Sequence, residues 1–397
     1  MPDDQAAVAT AEPLVGGFTR SGLAALNSQM HALVDEEKLA GVVTLVARHG
    51  EVVNLDAYGR QDLSQPTPLA TDSIFRIASM TKPIIGVAMM MLWEEGKWAM
   101  NDPVAKHIPE FEGLKVRRKD GDPVEQAAPM TMRQLMSHTA GFGRLGDYQD
   151  LNLRGGDLKA MIDTLAGLPL HYQPGKDWRY GPSVDIQGYV IERLSGQGLD
   201  VFLKERLFDP LGTVDTGFWV DPAKVARVVR IHKYVDGKIA PAGPENIVNT
   251  KKPAFLSGGG GLVSTIGDYW RFAQMVLDRG VFEGRRYLAP ETVDMMHVSV
   301  LEPGVNVTLY SPDARGLGFG MDFGIIEDPA LAKTNQGVES FYWGGAFGTW
   351  FWIDPVNDMI VIGMIQNMGG TTPDGAPLMR ELSAKAVYAA MTDRKRG

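Results

Sequence analysis

The chain has 397 residues, 44% hydrophobic and 22% charged, which is long enough to bury one large core or two that share an interface. A formal net charge of -9, with no basic patch interleaved with aromatics, argues against a nucleic-acid binder. With no cysteine, disulfides, thiol nucleophiles, iron–sulfur centres and cysteine zinc sites are excluded, while the compartment stays open.

The stretch Met1 to Gly16 carries Asp3 and Asp4 and lacks the positive start and apolar centre of a signal peptide. Residues 1–18 are therefore expected to be a flexible tail, and the protein to be cytoplasmic. Leu23, Leu26, Met30, Leu33 and Val34 repeat at helical spacing, predicting a first helix that ends near Glu37. Gly41 to Arg48 and Glu51 to Gly59, joined at His49-Gly50, read as a hairpin of β-branched strands. Residues 73–97 follow, with Ser79 at the amino end of a helix, Pro83 in its first turn and Ile84 to Trp93 as its apolar body. That apolar run is too short to span a membrane.

From Asn101 to about Phe255 the pattern is mostly helical, with helices over Thr131 to Gly141, Leu158 to Leu165, Val184 to Leu194 and Asp200 to Phe208. Ser257 to Thr265 holds four consecutive glycines before a helix over Ile266 to Leu277. No Gly-Lys-Ser/Thr follows them, so close backbone packing is favoured over phosphate binding. Residues 301–315 read as an irregular loop, Gly316 to Gly324 as the start of a strand, and Gly345 to Pro355 and Met359 to Asn367 as two further strands. A closing helix spans Leu378 to Met391. Strands from both ends of the chain are most simply combined in one antiparallel sheet flanked by helices. The expected organisation is a discontinuous α/β domain, residues 19–100 and 256–397, with a mostly helical domain, 101–255, inserted in it.

Three stretches carry residues suited to chemistry. Ser79 and Lys82 are three apart, hence on one helix face, and a lysine whose charged form is disfavoured by burial can act as base to a serine nucleophile. An N-cap serine followed by a surface lysine has the same spacing, but the apolar helix behind the pair places its first turn inside the protein. Tyr180, in a loop leading into a helix, can relay a proton if it meets that pair, and otherwise packs as an ordinary aromatic. In Phe341-Tyr342-Trp343-Gly344-Gly345 the glycines let a substrate approach the backbone, beside an amide suited to an oxyanion hole. Trp343, Phe347 and Trp350 fit a pocket or a core equally well. The seven histidines are scattered without a His-Glu-x-x-His, so neither metal nor cofactor is expected. No Gly-x-Ser-x-Gly elbow occurs.

Together, Ser79-Met80-Thr81-Lys82, Tyr180-Gly181-Pro182 and Trp343-Gly344-Gly345, in that order, resemble the serine β-lactamase and penicillin-binding-protein-like superfamily. The likeness is specifically to its class C-like esterases, the family VIII carboxylesterases. It covers about residues 20–393 and includes the Leu135 to Gly141 phrase and the Gly344 to Thr349 strand. The resemblance implies the transpeptidase-like fold, Ser79 as nucleophile, Lys82 and Tyr180 as proton-transfer groups, and an oxyanion hole from the N–H of Ser79 with that of Gly345 or Ala346. Trp343, Gly344, Phe347 and Trp350 are the candidate substrate contacts around these motifs. Pro182 stands where lactamases and peptidases usually carry asparagine, and Trp343 where a lysine or histidine is usual. Both departures point to a short-chain or small apolar ester as the small-molecule partner. The alternatives are a β-lactamase or D,D-peptidase, an acyltransferase, and an inactive binding protein of the same fold, and the oligomeric state is left open.

Overall fold

The computed structural model describes residues 14–243, 248–309, 315–368 and 379–395. At its centre is a seven-stranded sheet, antiparallel throughout, whose strands run in the order Leu317–Phe319, Gly324–Ile326, Phe341–Gly344, Trp350–Asp354, Met359–Met364, Gly41–Arg48, Glu51–Gly59. Five of these come from the carboxyl-terminal part and two from the amino-terminal hairpin, so the sheet is built from both ends of the chain as expected. Gly41–Arg48 is buried along its whole length because it is covered on both faces. Glu51–Gly59 lies at the sheet edge and is only partly covered.

Each face takes its own helices. Trp350 and Trp352 point to one face, where Trp350 donates to Ser383 and Trp352 stacks on Tyr388, both from the closing helix Met379–Ala390. The first helix, Arg20–Asp35, crosses that closing helix closely: a Cβ at Gly22 would stand 2.4 Å from the Ala390 methyl. Phe351 points to the other face and meets Tyr269 of the helix Ile266–Leu277. The Tyr269 hydroxyl donates to Met80 O, which ties the Ser79 region to this same face. Against the helix Thr81–Glu94 packs Ser183–Ser195, buried from Ser183 to Ile191. Most of the buried apolar residues of the sheet and of the helical segment 101–255 belong to one contiguous cluster, with Val220 and Val248 in a smaller second one.

Several expectations need revision. Leu14–Val15 pairs with Phe18–Thr19, and Phe18 is fully buried, so this part of the expected tail is anchored to the core; residues 1–13 lie outside the described residues. Gly316 to Gly324 is not one strand: Leu317–Phe319 and Gly324–Ile326 form a hairpin that turns at Asp322, whose φ is +64°. Gly345 to Thr349 is a turn, and the strand begins only at Trp350, because glycines at both ends of the segment let the chain reverse. A hairpin, His232–Val235 with Lys238–Pro241, interrupts the helical segment. Part of the expected 301–315 loop, and Leu378, fall outside the described residues. No described helix is long and apolar enough to cross a membrane.

Candidate active site

The Ser79 turn is held by its neighbours before the helix begins. Phe75–Arg76 pairs with Val263–Ser264, Ile77 N–H donates to Leu262 O, and Thr81 Oγ1 accepts from Leu262 N–H. Between them Ala78 has φ +44°, a left-handed conformation that a residue with a Cβ adopts only when its surroundings impose it. A 3₁₀ turn, Ala78–Met80, then feeds the helix Thr81–Glu94. Ser79 is half-buried at this corner, and Lys82, only 2% exposed, lies one turn behind it.

Lys82 Nζ is 3.2 Å from Ser79 Oγ and donates to the Gly259 carbonyl at 2.5 Å. It also stands 4.4 Å from the centre of the Tyr180 ring. The serine, lysine and tyrosine singled out in the sequence therefore converge. The glycine-rich turn is packed closely, since a Cβ at Gly258 would meet Val184 O at 2.5 Å. Its contact with Lys82 went unforeseen, because a backbone carbonyl has no side-chain signature.

Tyr180 enters from the loop before Ser183–Ser195, and its hydroxyl accepts from Trp343 Nε1–H at 3.1 Å. Its ring lies among Trp178, Trp343 and His138, with centroids 6.0, 5.4 and 5.0 Å away. His138 is a second unforeseen neighbour. Its φ is +61°, and its carbonyl accepts from Tyr172 O–H at 3.0 Å and from Arg179 N–H at 3.1 Å, which fixes the loop just ahead of Tyr180. Burial, reinforced by the charge of Lys82, holds its imidazole well below the usual histidine range, so this ring is a neutral packing surface at ordinary pH. Asp322 is likewise fully buried and accepts from Gln187 Nε2–H at 3.2 Å. Burial pushes its carboxyl well above the usual range, against smaller opposing pulls from Gln187 and Lys82. Neither residue carried a signal in the sequence beyond lying in a glycine-rich or recognisable phrase.

The two oxyanion-hole candidates after Trp343 are placed differently. Gly345 N–H donates to Thr349 O at 2.7 Å and is committed to the turn. Among the described residues, the N–H groups of Ala346 and Ser79 donate to no protein group. The turn also lies tightly against the serine corner: a Cβ at Gly345 would stand 2.5 Å from Ile77 O.

Trp343 is fully buried yet reaches Tyr180, so it belongs to the core and to the site together. Gly344, which precedes the turn, is half-buried at the end of the same strand. Phe347 is half-buried in the turn, off the strand alternation expected for it. Trp350 is a correction. It is 3% exposed on the opposite face of the sheet, where it donates to Ser383 and packs so closely on Gly363 that a Cβ there would meet its ring at 1.9 Å. Alternation along the strand places it away from Ser79, so it is a core residue. No group of side chains among the described residues could hold a metal ion.

The family model described as Beta-lactamase matches residues 26–385. Protein Rv1367c of Mycobacterium tuberculosis is 32% identical over 369 residues, covering 88% of this chain and 91% of that one. Esterase EstB of Burkholderia gladioli is 30% identical over 378 residues, covering 86% and 90%. Among solved structures, EstCE1, titled a hydrolase with promiscuous acyltransferase activity, superposes with a TM-score of 0.80 at 26% identity, covering 93% of this chain and 99% of its own. With the serine–lysine pair at the head of a buried helix and the sheet drawn from both chain ends, this chain belongs to the Beta-lactamase family of serine hydrolases, on its EstB-like, family VIII branch.

Proposed function

We propose that the protein is a serine carboxylesterase that hydrolyses short-chain or small apolar esters through an acyl-enzyme on Ser79. The observation that carries the reading is the 3.2 Å approach of the buried Lys82 amine to Ser79 Oγ. In the first step Ser79 Oγ attacks the ester carbonyl while its proton passes to the Lys82–Tyr180 pair. The carbonyl oxygen gains negative charge and is received by the N–H groups of Ser79 and Ala346. Tyr180 returns a proton to the departing alkoxide, and the alcohol leaves. Water then attacks the acyl carbonyl, again with proton transfer through Tyr180 and Lys82, and frees the acid. Lys82 Nζ lies 4.4 Å from the centre of the Tyr180 ring, so each proton transfer is assigned to the two groups together.

The apolar surroundings support the choice of substrate. Trp343, with no charge to offer a substrate carboxylate, stands beside Tyr180, and Pro182 at the head of the following helix has no side-chain amide for a peptide or lactam. The names of EstB and EstCE1 point to the same chemistry. Because EstCE1 is also titled with acyltransferase activity, transfer of the acyl group to an added alcohol is the second reading.

Intact-mass spectrometry after fluorophosphonate treatment, alongside p-nitrophenyl butyrate and nitrocefin turnover, tests the proposal. A single adduct is expected on the wild type and none on Ser79→Ala, with ester turnover far above nitrocefin turnover. A folded wild type that takes no adduct would sink the nucleophile assignment, and comparable nitrocefin turnover would favour a lactamase. Product formed with an alcohol acceptor in excess of hydrolysis would favour a dedicated acyltransferase.

Trp343→Phe removes the indole N–H that donates to the Tyr180 hydroxyl while keeping a buried ring. A hydrogen bond of this kind has a net value of about 0.5–1.5 kcal/mol, so kcat should fall by up to about tenfold with the fold retained. Steady-state kinetics and a melting curve check this, and an unchanged kcat would show that the bond does not steer Tyr180.

A further inference from the structure

Asp185 takes no part in the acyl-transfer steps, yet it is only 3% exposed, and its strongest bonds leave its own helix. It sits in the first turn of Ser183–Ser195, where an acidic residue ordinarily caps local N–H groups or faces water near the positive helix end. Here Oδ1 instead accepts from Ser257 Oγ–H at 2.7 Å and from Gly259 N–H at 2.8 Å, both in the glycine-rich turn. Oδ2 faces the Arg154 guanidinium at 3.6 Å. The helix and the turn are in close apposition, since a Cβ at Gly259 would lie 3.1 Å from this carboxylate.

Gly259 is thus held at both ends, its N–H by Asp185 and its carbonyl by Lys82. That matters because a glycine within a run of four has the widest choice of backbone conformations, and nothing in its own chemistry fixes where its carbonyl points. We propose that Asp185 is a positioning residue: by pinning Gly259 it aims the Gly259 carbonyl at Lys82 and so orients the amine toward Ser79. The proposal rests on the reading of Ser79 and Lys82 as nucleophile and base. A neutral amine has two N–H bonds and one lone pair. With one N–H committed to Gly259 O, the lone pair can be directed at the Ser79 hydroxyl proton. Tyr180 stands just ahead of the same helix, so one helix end sets both proton-transfer groups.

The test is a series of variants, Asp185→Asn, Asp185→Ala and Ser257→Ala, read by the second-order rate of fluorophosphonate inactivation and by kcat and KM for p-nitrophenyl butyrate. A displacement of about 1 Å in a catalytic group can cost on the order of 100-fold, and that loss is expected in kcat and in the inactivation rate for Asp185→Ala, with KM little changed. Asp185→Asn keeps an oxygen for Gly259 N–H and should recover most of the rate, remaining roughly tenfold below wild type. Ser257→Ala leaves the Gly259 bond in place and should fall only a few-fold. A structural role alone would lower the melting temperature without this ordering in kcat. Folded Asp185→Asn and Asp185→Ala variants with wild-type rates, or a change confined to KM, overturn the proposal. If Asp185→Ala does not fold, Asp185→Asn decides: wild-type rates overturn the inference, and a selective loss of kcat supports it. Failure of the wild type to react with the fluorophosphonate sinks the esterase reading itself, and so is told apart from equal reactivity of wild type and variants.

Discussion

Lys82→Met lowers kcat for p-nitrophenyl butyrate by about 10⁴-fold, the upper end of what a positioned proton-transfer group supplies. Methionine fills nearly the same volume, but it offers no site for the Ser79 proton. The hydroxyl nucleophile then has to lose its proton without an adjacent base, since the almost wholly buried lysine is the amine that stands beside it. Inactivation by the fluorophosphonate should slow in parallel, since it uses the same nucleophile. The substitution also leaves the Gly259 carbonyl without its donor, a buried loss of about 1–3 kcal/mol that should appear as a lower melting temperature. Rates within tenfold of wild type in the folded variant would rule out Lys82 as the principal base.

Gly345→Ala is expected to lower kcat by about 10²–10³-fold, comparable to the loss of one oxyanion-hole donor. The added Cβ would stand 2.5 Å from the Ile77 carbonyl and 2.2 Å from Thr349 Oγ1, so the turn and the serine corner must move apart. Ile77 directly precedes the Ala78–Met80 turn, and Thr349 Oγ1 donates to the same Ile77 carbonyl, so the shift separates the N–H groups of Ser79 and Ala346. Those two donors work together only if they converge on one oxygen. KM should change far less than kcat, because the oxyanion forms only on the way to the acyl-enzyme. Steady-state kinetics on a variant shown by circular dichroism to be folded make the check, and an intact kcat would remove Ala346 from the oxyanion hole.

Features that depend on neighbours in the chain were legible before any coordinates. The Gly41–Arg48 and Glu51–Gly59 hairpin follows from β-branched runs around a glycine turn, and Arg20–Asp35 from Leu23, Leu26, Met30, Leu33 and Val34 at helical spacing. The Ser79–Lys82 pair was legible for the same reason, since helical spacing alone brings residues three apart together. The approach of Tyr180 and Trp343 was anticipated from three motifs in order, as no local rule joins residues so distant along the chain.

Elsewhere the local signals are ambiguous, and one stretch of sequence suits two structures. Glycine suits a strand that lies close to a neighbour as well as a turn, and so the turn at 345–349 reads as part of the strand that follows it, and Gly316 to Gly324 as the start of a strand where the chain forms a hairpin. Trp350 suffered from the same ambiguity: an aromatic on a buried strand can face either layer, and only the packing of Met379–Ala390 decided which.

By itself, then, the amino-acid sequence determined the local elements, the serine–lysine spacing and the family, because periodicity, turn chemistry and ordered motifs are properties of the chain. The tertiary structure alone decided that Gly259 O faces Lys82, that Asp185 holds Gly259, that the buried His138 ring packs against Tyr180, and that Gly345 N–H is already engaged while Ala346 N–H meets no acceptor among the described residues. Each of these depends on the direction of a backbone group or a buried side chain across segments far apart in the chain, and that direction is set only when close packing leaves a single way for the segments to meet.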